Sequence, residues 1–319
     1  MTSTTSNTPT APPLRVGTRA SALARSQSQQ VAEQLSAHSG RQAELVTVTT
    51  KGDVDQRPLT EFGGAGVFVS ALREALLAGE VDVAVHSLKD LPTADAPGIV
   101  LAAVPLREDP RDVVVARDGL TLAELPVGAR VGTGSPRRAA QLRALGLGFE
   151  VVPVRGNVGT RIGFVTDGKL DAVLLAYAGL RRVGLADQVT EVLDPLQMLP
   201  APGQGALAVE CRADDTELAE RLRAALDDAG TRTAVSAERS LLAALEAGCT
   251  APVGALAEVA LGEGGEEVWI RAVAAAVDGT QIVRMSTTGA VGDAVGLGRA
   301  LADDMIADGA SALLGERVP

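Results

Sequence analysis

From Leu14 onward, short apolar runs alternate with stretches of helical period. LRVGTR reads as a strand, Ser21 to about Ser36 as a helix, ELVTVT as a strand, Val67 to Ala78 as a helix and VDVAVHS as a strand. A second series of the same rhythm begins near Arg111: DVVVA, RVGTG, a helix from Ser135, EVVPV, a helix after Asn157, then DAVLLA. Strands interleaved with helices predict a mostly parallel sheet, and the repeated rhythm predicts two similar lobes. At PAPGQG, Pro200 to Gly205, the chain turns sharply, and the apolar strand ALAVEC beyond it is placed to return to the first lobe. After the helix TELAERLRAAL the pattern changes. A helix from about Thr233 to Ala247, three strands at hairpin spacing (PVGALAEVA, EVWIRAVAA, QIVRMSTTG) and a last helix near Asp293 to Asp308 predict a small antiparallel α+β domain.

This pattern divides the chain into a tail at 1–13, a first domain from 14–105 and 206–228, a second from 106–205 and a third from 229–319. Within the first domain, KGDVDQRPLTEFGGAG has no periodicity and four glycines in sixteen residues, which predicts a functional lid loop over 50–66. The Ser/Thr/Pro-rich tail lacks the basic start and apolar stretch of a signal peptide, and no later apolar run approaches a membrane span. A cytoplasmic protein is expected.

Composition narrows the chemistry. A hydrophobic content of 46% over 319 residues supports a large core in two or three domains. The net charge of −11 and 2% aromatic content argue against nucleic acid as a partner, because neither a cationic footprint nor a stacking platform is available. Two cysteines and two histidines support neither a disulfide framework nor a metal site.

GTGSPRR, Gly132 to Arg138, is the most informative segment. Ser135 and Pro136 suit the N-cap and first position of a helix, which puts Arg137 and Arg138 in its first turn. Cations there oppose the helix dipole, at about 0.3–1 kcal/mol each, so a bare surface pair is disfavoured against a site that binds carboxylate or phosphate. RGNVGTR repeats the device, with Asn157 as cap between Arg155 and Arg161, and Arg19 ahead of Ser21 offers a third such site from the other lobe. Together they point to a ligand with several carboxylates, although each arginine taken singly also fits a structural salt bridge. HSLKD follows a buried-looking strand and delivers Lys89 and Asp90 to its carboxyl end, where open α/β sheets bind ligands; an internal ion pair or a turn before Pro92 is the bland alternative. His86 reads as a core histidine and Cys211 as a small buried hydrophobe, whereas Cys249 follows a helix-closing glycine in a loop, where a thiol can be reactive or tethered.

Taken in order, TRASALA, KGD, the glycine-rich lid from Gly63 to Phe68, AVHSLKDLP, REDPRD, VGTGSPRR, RGNVGTR, LAYAGLRRVG, PGQGALAVE and EAGCTAPVG resemble the motifs of the porphobilinogen deaminase (hydroxymethylbilane synthase) family, from about Leu14 to Gly315. The resemblance implies two lobes like those of periplasmic binding proteins plus the small C-terminal α+β domain with its three-stranded antiparallel sheet. It implies a monomeric transferase of tetrapyrrole and haem biosynthesis. Four porphobilinogen molecules would be joined head to tail onto a dipyrromethane cofactor, itself held by a thioether to Cys249. By motif, Asp90 would be catalytic; Lys89, Thr133, Ser135, Arg137 and Arg138 would hold the cofactor; and Arg19, Ser21, Gln27, Arg155, Arg161 and Arg182 would bind substrate, with Gln204 falling to the interlobe turn. Glu61 and Ala65 stand where the family often has lysines, and Gly134 and Pro136 replace a commoner serine and leucine. A non-catalytic anion-binding protein on the same two-lobed scaffold is the alternative reading.

Overall fold

The computed structural model describes residues 12–39, 41–48, 66–247, 251–262 and 264–314. Its first sheet contains β1 (Leu14–Thr18), β2 (Ala43–Thr47), β3 (Val83–Ser87), β4 (Ile99–Ala103) and, from far along the chain, β10 (Leu207–Arg212), in the order β2-β1-β3-β10-β4. The second repeats this plan with β5 (Asp112–Ala116), β6 (Arg130–Thr133), β7 (Glu150–Pro153), β8 (Ala172–Ala176) and β9 (Glu191–Val192), ordered β7-β6-β8-β5-β9. Both are mixed rather than wholly parallel: β10 runs antiparallel to β3 and β4, and β5 antiparallel to β8 and β9. Each reversed strand is the one that arrives from the other lobe. It therefore needs no helical crossover of the kind a parallel pairing requires.

The described helices are α1 (Ala22–Ser39), α2 (Gly66–Leu77), α3 (Pro136–Ala144), α4 (Val158–Thr166), α5 (Tyr177–Arg182), α6 (Thr216–Leu226), α7 (Ala229–Ala244), α8 (Ala294–Ala307) and α9 (Ala310–Leu313). On one face of the first sheet, Val31 and Leu35 of α1 and Leu218 and Leu222 of α6 pack on Val16, Val85, Val209 and Cys211. On the other face, Leu72 and Leu76 of α2 cover Ala84. The second sheet is enclosed in the same way, by Leu142 of α3 on one side and by Val165 and Leu180 of α4 and α5 on the other. Burial on both faces is why DVVVA and AVLLA are continuous apolar runs rather than alternating ones. Each large side chain so enclosed contributes about 1.5–3 kcal/mol. The C-terminal unit has an antiparallel sheet of β11 (Val253–Gly262), β12 (Gly265–Ala275) and β13 (Ile282–Ala290) under α7 and α8. The expected two like α/β lobes plus a small α+β domain with a three-stranded antiparallel sheet are the ones found.

Local differences have local causes. Helix α7 starts at Ala229 rather than near Thr233, because the Asp228 carboxylate accepts the Thr231 amide at 2.7 Å and caps it early. Strands β4 and β9 and helix α5 were not expected; α5 has no side-chain cap to announce it.

The two crossovers between lobes are pressed together. A Cβ at Gly205, whose φ is +88°, would stand 2.2 Å from the Glu108 carbonyl oxygen, so only glycine admits this approach. Beside it, Arg107 of the first crossover places Nη1 and Nη2 at 2.6 and 3.1 Å from the carboxylate oxygens of fully buried Glu238 in α7. The same carboxylate accepts Gly203 N of the second crossover at 2.6 Å and Ala257 N of β11 at 2.8 Å. All three units thus share one buried ion pair. Removing one partner of such a pair leaves an uncompensated charge, so Glu238→Ala is expected to cost about 3–5 kcal/mol. Urea unfolding should show a lower midpoint; an unchanged midpoint would show that the junction does not hold the lobes.

Candidate active site

The arginine helix begins as its sequence dictates. Strand β6 ends at Thr133, whose Oγ1 accepts Ser135 N at 3.2 Å; Ser135 in turn caps α3 by accepting Arg138 N at 3.4 Å, with Pro136 in the first position. Neither Gly134 nor Pro136 disturbs this start. Arg137 and Arg138 do lie in the first turn, but they are only 3% and 5% exposed and converge on one carboxylate, that of Asp112 at the head of β5. Arg137 Nη2 and Arg138 Nη2 are each 2.8 Å from it. Arg137 also donates to the Leu199 carbonyl, and Arg138 Nη1 donates to the Leu174 carbonyl at 3.1 Å. Burial opposes ionisation of Asp112, yet the two guanidiniums and the hydrogen bonds from Arg138 and Gln204 hold its carboxyl far below the usual range. Two cations over one anion leave positive charge in excess, and among the described residues the Nε of neither arginine has a hydrogen-bond partner.

The catalytic candidate, Asp90, comes from the first lobe together with Lys89. After β3 a single 3-10 turn, Leu88–Asp90, carries Lys89 and Asp90, both half-buried. Its backbone is clamped: Leu88 N donates to Ala206 O at 3.0 Å, and Arg239 of α7 donates to the carbonyls of Leu91 and Pro92 at 3.0 and 2.7 Å. Lys89 Nζ donates to Gln204 Oε1 at 3.2 Å, while Gln204 Nε2 donates to Asp112 Oδ1 and the Pro110 carbonyl, both at 2.7 Å. Burial and the nearby Arg138 and Arg137 push the Lys89 ammonium down to about 8, against the opposing pull of Asp90 and Asp112. Lys89, Asp90, Asp112, Arg137 and Arg138 thus form one electrostatic unit across the cleft.

Further cations border it. Asn157 caps α4 by accepting Thr160 N at 2.9 Å, and Arg161, one turn in, donates Nε to the Gly156 carbonyl at 2.9 Å. Burial, followed by the charges of Arg138 and Arg155, lowers the Arg161 pKa, so these three guanidiniums feel one another; Arg155 is exposed. Ser21 caps α1 by accepting Ala24 N at 3.3 Å, and half-buried Arg19 precedes it. The starts of α1 and α4 meet around Gly179, where Leu23 and Val158 come within 3.8 and 4.0 Å of a Cβ placed on that glycine.

Two expected substrate residues are engaged in the scaffold. Gln27 is 5% exposed and exchanges hydrogen bonds with Ser87 at 2.8 and 3.2 Å. Arg182 Nη2 donates to Gly205 O at 2.7 Å and its carbonyl accepts Ser26 Oγ at 2.6 Å, so it straps the lobes together. His86 is buried with Nε2 3.2 Å from Glu210, a carboxyl that burial would raise but that His86 and Arg73 bring down to about 2. Cys211 is fully enclosed, and burial pushes its thiol up to about 11. Cys249 and the lid with Glu61 and Ala65 lie outside the described residues. Just beyond Cys249, Ala255 N donates to Pro200 O at 3.0 Å and Gly254 presses on Leu199, the residue whose carbonyl receives Arg137.

Sequence reading passed over Asp112 and underrated Gln204. The available signal was a lone carboxylate opening a strand that is otherwise wholly apolar, since a buried charge needs a partner. Among the described residues, Lys89, Arg137, Arg138 and Arg161 gather near Asp90 and Asp112 with the buried Nε groups of Arg137 and Arg138 unpartnered, which fits a ligand rich in carboxylates.

The chain is similar to known proteins over most of its length. Residues 14–220 match the family model described as porphobilinogen deaminase, dipyromethane cofactor binding domain, and residues 232–307 match porphobilinogen deaminase, C-terminal domain. The chain is 59% identical over 313 residues to porphobilinogen deaminase 1 of Streptomyces coelicolor, covering 95% of this chain and 98% of that protein. It is 59% identical over 312 residues to porphobilinogen deaminase of Nocardia farcinica (96% and 89% covered) and 57% over 306 residues to that of Mycobacterium tuberculosis (94% and 98%). Among solved structures, a periplasmic substrate-binding protein of an ABC transporter from Coxiella burnetii aligns with a TM-score of 0.43 at 17% identity, covering 66% of this chain and 91% of that one. A putative methionine-binding lipoprotein from Bacillus subtilis aligns at 0.42 and 15% identity, covering 68% and 90%.

Asp112→Asn should leave the two buried guanidiniums without their counter-charge, at a cost of about 3–5 kcal/mol. Thermal unfolding of this variant at pH 7 should fall well below that of the parent, and equal unfolding would show that Asp112 does not organise the pair.

Proposed function

We propose, from the premise that this chain belongs to the porphobilinogen deaminase family, that the cleft between its two lobes is the active site of a hydroxymethylbilane synthase. The enzyme joins four porphobilinogen molecules head to tail, releases ammonia at each addition and frees hydroxymethylbilane by hydrolysis. The observation that carries this reading is the cationic cluster in a chain of net charge −11, assembled around the turn that bears Asp90. Each pyrrole ring carries an acetate and a propionate, so a lengthening chain needs guanidiniums in numbers.

Dipyrromethane, when bound, supplies the primer to which the first substrate ring is joined. Cys249 is the thiol we assign to its attachment, and the docking of Gly254 and Ala255 on Leu199–Pro200 supports that assignment by bringing the chain just beyond Cys249 toward Arg137. Lys89, Arg137 and Arg138 address the cofactor carboxylates, while Thr133 and Ser135 fix the helix start that presents the arginines. Arg19, Arg155 and Arg161, with Ser21 at the head of α1, receive the carboxylates of the incoming porphobilinogen. Gln27 and Arg182 act at one remove, by holding Ser87 beside the catalytic turn and the lobe junction at Gly205. Asp90, on a clamped turn, faces the reacting rings as a fixed anion. It accepts hydrogen bonds from pyrrole N–H groups and stabilises the positive charge that develops as ammonia departs. No described helix is long and apolar enough to cross a membrane. The enzyme acts, on this reading, as a cytoplasmic monomer on a small-molecule substrate.

Two measurements test the assignment. Purified protein should weigh more than its polypeptide by one dipyrromethane, and Cys249→Ser should abolish the excess; an active protein of bare mass would remove Cys249 and the cofactor from the reading. Asp90→Ala should retain that excess mass while losing at least about a hundredfold in turnover, the low end for a positioned proton-transfer group. Near-parental ammonia release from Asp90→Ala would return Asp90 to a structural role.

A further inference from the structure

Among the residues around the cluster, Gln204 occupies an unusual place. It sits in the second crossover, belongs to neither sheet, and is 1% exposed. Every polar group of its side chain is engaged with a defined polarity: the Oε1 acceptor faces the Lys89 ammonium, and the two Nε2 hydrogens face Asp112 and the Pro110 carbonyl. The amide cannot be flipped without setting donor against ammonium and acceptor against carboxylate. Its backbone is fixed as well, with its carbonyl accepting Arg107 Nε at 2.7 Å and its N–H donating to Ala201 O at 2.9 Å. A neutral group held this firmly joins a cation of the first lobe to the anion of the second.

The identity of that cation matters. The chain has twenty-six arginines and only three lysines, Lys51, Lys89 and Lys169. Where arginine is the rule, the cleft position next to Asp90 is occupied by the one basic side chain that can lose its proton near neutral pH when buried. The charged groups facing it are Asp90 on its own turn, Arg137 and Arg138 on α3 and Asp112 on β5. Arginines repel the ammonium and the carboxylates attract it, so a small displacement of Nζ changes both its charge and the direction from which it meets a ligand.

We propose that Gln204 is a positioning residue for the reaction: its amide holds the Lys89 ammonium between Asp90 and the Asp112–Arg137–Arg138 cluster, and so fixes the point from which Lys89 addresses the ligand carboxylates. This rests on the reading of the cleft as the dipyrromethane site. In Gln204→Met, Lys89 loses its acceptor and Asp112 loses a donor with little change in volume. In Gln204→Glu, the acceptor is kept and a negative charge is added beside the ammonium.

The test uses holoenzyme carrying lysine labelled with carbon-13 at Cε. The three lysines give three signals, and Lys89→Arg identifies the one of interest. Relative to the parent, the midpoint of the Lys89 titration and the alkaline limb of kcat should move down by about one pH unit in Gln204→Met and up by about one in Gln204→Glu. The Gln204→Met variant should lose roughly tenfold in kcat at pH 8 with KM for porphobilinogen within about twofold. Intact mass separates the two levels of inference. Absence of the dipyrromethane mass from the parent would undo the reading of the site. Parent and variants that carry it, with Lys89 midpoint and alkaline limb unmoved in both variants, would overturn the role of Gln204. A rise in KM with a lowered unfolding temperature and no change in the Lys89 signal would make Gln204 a structural tie of the lobes instead, which also overturns it. Should Gln204→Met fail to fold, the upward movement in Gln204→Glu decides the matter alone.

Discussion

Like charges cannot be gathered in a shielded cleft unless a counter-charge is built in among them. At an effective dielectric constant of about 20, two unit charges 4 Å apart interact by about 4 kcal/mol, a sizeable part of the net stability of a folded domain. Asp112 meets this constraint. It lies within ion-pair distance of two guanidiniums and is linked through Gln204 to an ammonium. Much of the surrounding structure can be understood as what it takes to bring that carboxylate there. Strand β5 must begin at residue 112, α3 must be capped so that Arg137 and Arg138 fall in its first turn, and the PGQG turn must approach the first crossover closely enough for Gln204 to reach across. The last condition is met only because Gly205 has no Cβ.

The charge left over is what the cleft offers a ligand. One carboxylate stabilises the cluster in the absence of substrate without neutralising it, so Arg155 and Arg161 extend a field that is already positive. Within that field Asp90 is a second carboxyl group, on a turn clamped from β10's flank and from α7. A fixed carboxyl group surrounded by cations is the arrangement on which the proposed role of Asp90 rests. The clamps on its backbone leave the turn little room to reorganise.

Local signals in the sequence were read well because their causes are local. Ser21, Ser135 and Asn157 cap the helices they precede, and the apolar runs of β3, β5, β8 and β10 are strands. The reversed sense of β5 and β10 was not legible, since nothing within either run records which lobe it came from. Motif resemblance supplied residue identities but not orientations: Gln27 turns to Ser87 and Arg182 to Gly205, although the resemblance implied substrate binding for both. Asp112 was hidden for a different reason. A charged residue at the head of a strand looks like its solvent-exposed end, and only the partners arriving from α3 and the second crossover show that it is buried.

The exchanged strands also dictate an order of assembly. All five strands of the second sheet lie between residues 112 and 192, so that sheet is complete in sequence once this stretch has left the ribosome. The first sheet is not, because β10, from residues 207–212, has to insert between β3 and β4. Contacts of such sequence separation form slowly, after the entropy of closing a long loop has been met. The turn after β3 therefore acquires its β10 neighbour, and then Arg239 of α7, only after every strand of the second sheet has been made. Until then the nascent chain carries a finished second sheet beside an open strand edge, which makes this the stage at which a chaperone has most to cover.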